Sequence, residues 1–326
     1  MKLITVALAA YNPDELLLRK QLESIDAQSY GNIELLILDD LSRSDKRDAI
    51  RKIAGESIVH IPYRLMRNEV NMGSVRTFEK LTLAANGDFI CYCDQDDVWE
   101  PYKIERLMQR QREENALLVY SDLFVIDQDD KLISPSFRKH RTRLKHVHGD
   151  DAFAYLATKN SVTGCAMMVS SKIAKAATPF PSEKIFSHDH WLAVYASAMG
   201  RISYVDAPLV RYRIHANNQL GDKRLFDIYN KADYIDKRIK LLVDRYGIII
   251  ASAPLMENQR KIVERLRRNA QQKLDCARHM NLGNFLAFAR LSGGDIPLAL
   301  FELFVITMPD SIVAPMINRL KRSRIG

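Results

Sequence analysis

The chain has 326 residues, 47% hydrophobic and 27% charged, the proportions of a globular protein with one large domain and an appendage or two modest ones, which excludes a disordered polymer. Its net charge of +8 is lopsided: residues 1–210 hold 27 Lys/Arg against 29 Asp/Glu, whereas residues 211–326 hold 21 against 11. The basic excess points to an anionic partner for the last third, either nucleic acid or an acidic membrane surface.

Leu3–Ala9 reads as a buried first strand, not a signal peptide, because it runs straight into the turn Asn12-Pro13-Asp14, which opens a helix reaching Gln28. Ile33–Leu38 is a second strand ending on Asp39-Asp40, followed by a helix near Ser44–Ala54. Val59–Leu65 is a third strand and Ser74–Ala85 the next helix. Phe89–Cys93 is a fourth strand, ending on Asp94-Gln95-Asp96-Asp97, and Pro101 suits the first turn of a helix reaching Glu114. Strand–helix alternation at this spacing predicts an α/β fold with a doubly wound, mostly parallel sheet, whose ligands bind beyond the carboxyl ends of the strands. Leu117–Ile126 and Val162–Ser170 read as further strands, a helix lies around Trp191–Met199, and Arg201–Val205 and Leu209–Ile214 read as two strands joined near Ala207-Pro208. Beyond a boundary near residue 220 the chain turns helical and basic, with long candidates at Leu225–Arg245 and Met256–Met280. No stretch of 18 uncharged apolar residues occurs, so no membrane-spanning helix is expected.

Three carboxylates within four residues, Asp94, Asp96 and Asp97, repel one another unless a cation or basic groups offset them. Such hard oxygens suit Mn²⁺ or Mg²⁺, ions that share their coordination with substrate phosphates; the competing reading is an acidic turn with Asp97 capping the next helix. Asp39 and Asp40 form a second carboxylate pair at the same edge, where a carboxylate can accept the ring N–H of a pyrimidine. His188-Asp189-His190 is open to three readings, a metal cluster, a helix cap or a catalytic group, and the two histidines are too close in sequence to chelate from one helix face. The four cysteines lack zinc-site spacing, and buried reduced thiols are the expectation for Cys91 and Cys93. There is no Gly-x-x-x-x-Gly-Lys-Ser/Thr, Gly-x-Gly-x-x-Gly, His-Glu-x-x-His or Gly-x-Ser-x-Gly motif.

Nine fragments in order carry a resemblance: Ala10-Tyr11-Asn12, Gln28-Ser29-Tyr30, Leu38-Asp39-Asp40-Leu41-Ser42, Asn71-Met72-Gly73, Asn86-Gly87-Asp88-Phe89-Ile90, Asp94-Gln95-Asp96-Asp97-Val98-Trp99 with Lys103-Ile104, Thr163-Gly164-Cys165-Ala166, His188-Asp189-His190-Trp191 and Tyr212-Arg213-Ile214-His215. Over roughly residues 1–220 the chain resembles the family 2 glycosyltransferases of GT-A fold, especially bacterial rhamnosyltransferase-like members. The resemblance implies that Asp189 is the general base and that Asp96, Asp97 and His215 hold the metal. It implies a nucleotide-sugar site made of Ala10, Tyr11, Asn12, Asp39, Asp40, Asn71, Gly73, Arg76, Asp94, Gln95, Asp96, Trp99, Gly164, His188, Trp191 and Arg213. Within it, Asp40 would accept from the pyrimidine base, with Tyr11 against the nucleoside. Leu41 departs from the family pattern, which has Gly or Asn there, and Ala9 and Ala10 replace the usual Thr or Ser.

The implied activity is an inverting, metal-dependent transfer of one sugar from a dTDP- or UDP-sugar to a glycan or lipid-linked acceptor, since the Gln-x-x-Arg-Trp of processive synthases is absent. The competing readings are a sugar-phosphate nucleotidyltransferase, an inactive nucleotide-sugar-binding relative, and a nucleic-acid binder. The nucleotidyltransferase would need a basic Gly-rich loop after the first strand, and the upstream acidic clusters repel a polyanion. Residues 221–326 are expected to contact acceptor, membrane or a second copy in a homo-oligomer. Ile296–Ile317, very apolar yet bearing Glu302, Asp310 and three prolines, is followed by Arg319, Lys321, Arg322 and Arg324 and suits the interface of an anionic membrane, or else packs into the fold. The expected place is the cytoplasm, at the inner face of the plasma membrane.

Overall fold

The computed structural model describes residues 1–141, 145–214, 227–279, 281–291 and 296–322, divided into two compact units, Met1–His215 and Ala216–Gly326. The first unit runs β1 (Ile4–Ala10), α1 (Glu15–Asp26), β2 (Ile33–Asp39), α2 (Ser44–Ser57), β3 (Tyr63–Arg67), α3 (Gly73–Ala84), β4 (Phe89–Cys93), β5 (Val98–Trp99) and α4 (Lys103–Glu114). It continues with β6 (Leu118–Ile126), β7 (Leu132–Ser134), α5 (Phe137–His140), α6 (Phe153–Leu156), β8 (Met167–Ser170), α7 (Ser171–Ala176), α8 (His188–Met199) and β9 (Ile202–Arg213).

β1 and β4 are almost wholly apolar and buried along nearly their whole length, as strands of a parallel sheet covered on both faces must be. The helices supply that cover. α1 turns Leu18, Gln21, Leu22 and Ile25 inward at helical spacing, and the Asp14 carboxylate caps it by accepting from the Leu16 and Leu17 amides at 2.9 and 3.1 Å. The sheet order is β3-β2-β1-β4-β8-β6-β9-β5, with β7 beside β6. β3, β2, β1 and β4 are mutually parallel, whereas β8 is antiparallel to β4 and to β6, β9 is parallel to β6, and β5 is antiparallel to β9. This is the expected mostly parallel α/β sheet with one mixed half. Ala10 pairs with Asp39 and Leu8 with Cys93, so the loops after β1, β2 and β4 leave from one edge.

Three segments differ from their sequence reading. Residues 59–61 are not strand, because their three amides donate to one oxygen of Asp26, and β3 starts later, at Tyr63. The apolar run 162–170 is strand only from Met167; Gly164–Ala166 is a single tight helical turn. The two strands expected at 201–214 are one, β9, which passes Ala207-Pro208 through register shifts against β6.

The second unit is helical: α9 (Lys231–Tyr234), a π-helical turn (Ile235–Lys240), α10 (Leu241–Ser252), α11 (Glu257–Arg278), α12 (Leu282–Leu291), α13 (Ile296–Thr307) and α14 (Asp310–Arg322). The apolar stretch 296–317 is thus two helices, divided at Met308-Pro309, and no described helix is long and apolar enough to cross a membrane. Glu302 is buried, salt-bridged to Lys273 and within 3.4 Å of the Tyr234 hydroxyl. Val305, Ile306, Val313 and Ile317 are buried, so one side of α13 and α14 packs within the fold.

Candidate active site

The loops at the common sheet edge are tied together by side chains of the recognised fragments. The Gln95 amide bridges the β4 and β1 loops, accepting from the Tyr11 N–H at 2.8 Å and donating to the Tyr11 carbonyl at 3.3 Å, which leaves the Tyr11 ring half exposed. Asn12, at φ 43°, donates its N–H to the Ser42 hydroxyl at 2.8 Å and accepts from the Arg43 N–H at 3.0 Å. Asp40 is buried, and its carboxylate accepts from the Asn68 amide and the Met72 N–H at 2.8 Å and from the Gly73 N–H at 2.9 Å. Asn71 donates to the Asp40 carbonyl at 3.1 Å, and Gly73 holds φ 76° as α3 begins. Asp40 is therefore spent first on fastening the start of α3. Asp39 accepts from the Ser42 N–H at 2.8 Å and faces the Arg67 guanidinium at 3.3 Å.

Beyond β4, ligand atoms of Asp94, Asp97 and Cys165 lie within 4.8 Å of one another. Burial, and then the charges of Asp97, Asp96 and Asp189, push Asp94 well above the carboxylate range. Burial, reinforced by Asp96, lifts Asp97 to about 7. One Asp97 oxygen accepts from the Arg213 backbone N–H at 3.0 Å; the other is buried and has no hydrogen-bond partner among the described residues. Two close carboxylates with an orphaned oxygen fit a hard divalent cation, which would offset the charge that burial penalises. Burial pushes the Cys165 thiol well above its ordinary value, so it stays protonated beside Asp97 and is a weaker candidate ligand than the carboxylates. The gathered set shares Asp97 with the expected Asp96, Asp97 and His215; His215 lies outside the described residues.

Asp189 sits in the first turn of α8, not at its cap, which is Ser187. Its carboxylate accepts from the Ser187 hydroxyl, from the His190 N–H at 2.6 Å and from the Gly164 N–H at 3.2 Å. His188 is buried beneath it, with its ring centroid 4.1 Å from that of Phe78 and 5.2 Å from that of Tyr92. Burial drives the His188 pKa down to about 4, so the imidazole is neutral at neutral pH.

The model of the glycosyl transferase family 2 domain matches residues 5–175, more than half the chain. The chain belongs to glycosyl transferase family 2. The sequences similar to it include an uncharacterized glycosyltransferase of Nostoc, 28% identical over 228 residues and 67% of each chain. Another is the UDP-Glc:alpha-D-GlcNAc-diphosphoundecaprenol beta-1,3-glucosyltransferase WfaP of Escherichia coli, 30% identical over 125 residues, 38% of this chain and 47% of that one. Among solved structures, S. aureus TarS 1–349 with UDP-GlcNAc superposes with a TM-score of 0.57 at 15% identity, covering 100% of this chain and 88% of its own. The Pyrobaculum calidifontis mannosyltransferase PcManGT, in complex with GDP-Man and Mn2+, gives 0.55 at 15% identity, covering 99% and 86%. These two likenesses bear out the GT-A fold.

Several residues expected at the donor are engaged within the fold of this family 2 protein. Arg213 is wholly buried and grips its own chain, donating to the carbonyls of Asp96 at 2.9 Å and Asp127 at 2.8 Å and pairing with Asp130 at 2.5 Å. Trp191 is a core residue whose indole N–H donates to the Ala177 carbonyl at 2.8 Å, and Trp99 is equally buried. Arg76 pairs with Glu79 at 2.7 Å on its own helix. Ala10 is buried in β1, its carbonyl accepting the Asp40 N–H at 2.8 Å.

Three residues named in the sequence without a role, Cys165, Ser187 and Lys103, take part in the arrangement. Cys165 sets its thiol beside Asp94 and Asp97, and the Ser187 hydroxyl donates to Asp189. Lys103 is fully buried, its Nζ 3.0 Å from the Trp99 ring centroid and donating to the Cys165 carbonyl at 2.6 Å. Burial lowers its pKa to about 8. A signal for it existed: Lys103, Ile104, Leu107 and Met108 recur at helical spacing on the inward face of α4.

Proposed function

We propose that the protein transfers one sugar, with inversion, from a nucleotide diphosphate to a glycan or lipid-linked acceptor, using Mn²⁺ or Mg²⁺ held by Asp94 and Asp97. The observation that carries the reading is the convergence of these carboxylates beside Asp189 at the carboxyl edge of the parallel strands. Asp189, oriented by Ser187, His190 and Gly164, would take the proton of the acceptor hydroxyl as that oxygen attacks the anomeric carbon. One base suffices, because no covalent sugar–enzyme intermediate is needed. A bound divalent cation would act as a Lewis acid toward the charge gathering on the departing diphosphate. The nucleotide donors in the names of WfaP, TarS and PcManGT, and the Mn2+ in the last, support a nucleotide-sugar and cation reading. Asp-Gln-Asp-Asp-Val-Trp favours dTDP-rhamnose, then a UDP-hexose, as donor.

The test is thermal stability with UDP, dTDP or GDP, with and without Mn²⁺ or Mg²⁺, since a ligand of the native state raises the melting temperature by mass action. Stabilisation is expected only with the cation, and Asp97→Ala should abolish that cation-dependent part. Equal stabilisation in EDTA overturns the reading.

The C-terminal unit is proposed to meet an anionic membrane at the cytoplasmic face, where a lipid-linked acceptor would lie. In support, Leu298, Leu300, Phe304 and Ile312 are exposed on α13 and α14, and the exposed Arg319 lies two turns after Ile312. Flotation with anionic but not neutral vesicles, lost on truncation near residue 290, is the expected result; no binding to anionic vesicles at low salt refutes it.

A further inference from the structure

Lys103 presents a buried ammonium where its helical neighbours place Ile104, Leu107 and Met108, a position that methionine would fill without taking a charge out of water. Its Nζ donates to a backbone carbonyl, that of Cys165, and lies over the Trp99 ring. Cys165 is the centre of the tight turn Gly164–Ala166. One residue of that turn gives its N–H to the Asp189 carboxylate, and the next sets its thiol beside Asp94 and Asp97. The turn is thus the piece of backbone shared by the candidate base and the candidate cation site, and Lys103 grips it from the core side.

We infer that Lys103 is a positioning residue which, through the Cys165 carbonyl, holds the Gly164–Ala166 turn and thereby sets Asp189 against the Asp94–Asp97 carboxylates. The inference rests on the proposed reading of Asp189 as base and deepens it. A flexible loop in place of this turn would let the base wander, and a misplacement of about 1 Å costs on the order of 10²-fold in rate.

The experiment compares wild type with Lys103→Met, which keeps the length and apolar stem and removes the donor. Amide hydrogen exchange across residues 160–170 reads the turn directly, without reference to activity. Faster exchange at Gly164 and Cys165, with the rest of the sheet as protected as in wild type, is the expected result. In transfer assays kcat should fall at least 10-fold while the affinity for the nucleotide diphosphate with Mn²⁺ changes less than 3-fold. Lys103→Met added to Asp189→Asn should cost little more than Asp189→Asn alone, because the two act as one unit. If the methionine variant does not fold, Lys103→Leu, which likewise lacks the donor, carries the same measurements. Unchanged exchange at Gly164 in a folded variant overturns the inference whatever the protein catalyses. Failure of the transferase reading would appear separately, as an Asp189→Asn variant no slower than wild type.

Discussion

A Cβ on Gly164 would stand 2.7 Å from Nε2 of His188, so the imidazole, and not a special backbone angle, requires glycine there. Gly164→Ala should push His188 off the Phe78 ring and shift Asp189, its neighbour in the same helical turn. Overpacking of this kind costs about 1–3 kcal/mol. The expected outcome is a lower melting temperature together with a kcat reduced at least 10-fold. Wild-type values of both would show that the imidazole swings aside freely.

His188 also gives stability a pH dependence. Its folded pKa of about 4 lies below the roughly 6.5 of an unfolded histidine. Below about pH 6.5 the unfolded chain takes up a proton that the folded one refuses, so stability is full above that pH and lost as pH falls toward 4. The loss is at most about 3 kcal/mol at 1.36 kcal/mol per pKa unit. Asp97, raised to about 7, works in the opposite sense over the same window, so the variant must be compared with wild type. Nε2 of His188 finds no hydrogen-bond partner among the described residues, so His188→Leu strands no such bond at that atom. Unfolding midpoints measured between pH 5 and 7.5 should fall less steeply in the variant; parallel curves would refute the assignment.

Asp189→Asn keeps the shape of the side chain and removes its basicity. Turnover should drop by about 10²-fold or more, the usual worth of a general base, with nucleotide affinity retained. A near wild-type rate would leave Asp189 as a structural anchor of the α8 turn. The configuration of the product, read by NMR, is an independent check, and retention would refute direct displacement.

Leu41 occupies the left-handed region at φ 64°, at the very position where the family pattern has Gly or Asn. An L side chain pays roughly 1–2 kcal/mol in that conformation, and Leu41 is 38% exposed, so it loses little packing when replaced. Leu41→Asn is expected to raise the unfolding free energy by about 0.5–1 kcal/mol. A destabilised variant would mean that the leucine side chain contributes contacts outweighing the strain.

What was legible beforehand follows from locality. β1, β2 and β4 are largely apolar runs followed by polar residues, and α1 and α4 repeat their apolar positions at helical spacing, so hydrophobic pattern and turn chemistry alone disclosed the strand–helix alternation and the edge bearing Asp39, Asp40 and Asp94–Asp97. Residue order in nine fragments disclosed the family. The remainder depended on contacts between segments far apart in the chain. Residues 162–166 are as apolar as a strand, yet the Lys103 ammonium and the Asp189 carboxylate bind the backbone of Cys165 and Gly164, across 62 and 25 positions, and the segment turns instead of extending. Arg213, an obvious anion binder in sequence, meets Asp130 and the carbonyls of residues 96, 127 and 128 first, and burial commits the guanidinium to its own chain. Sequence names the charged groups and the elements that carry them; only tertiary packing decides which charges neutralise one another inside the fold and which, like Asp94 and Asp97, are left facing each other, because desolvation and Coulomb energies depend on distances that sequence separation does not contain.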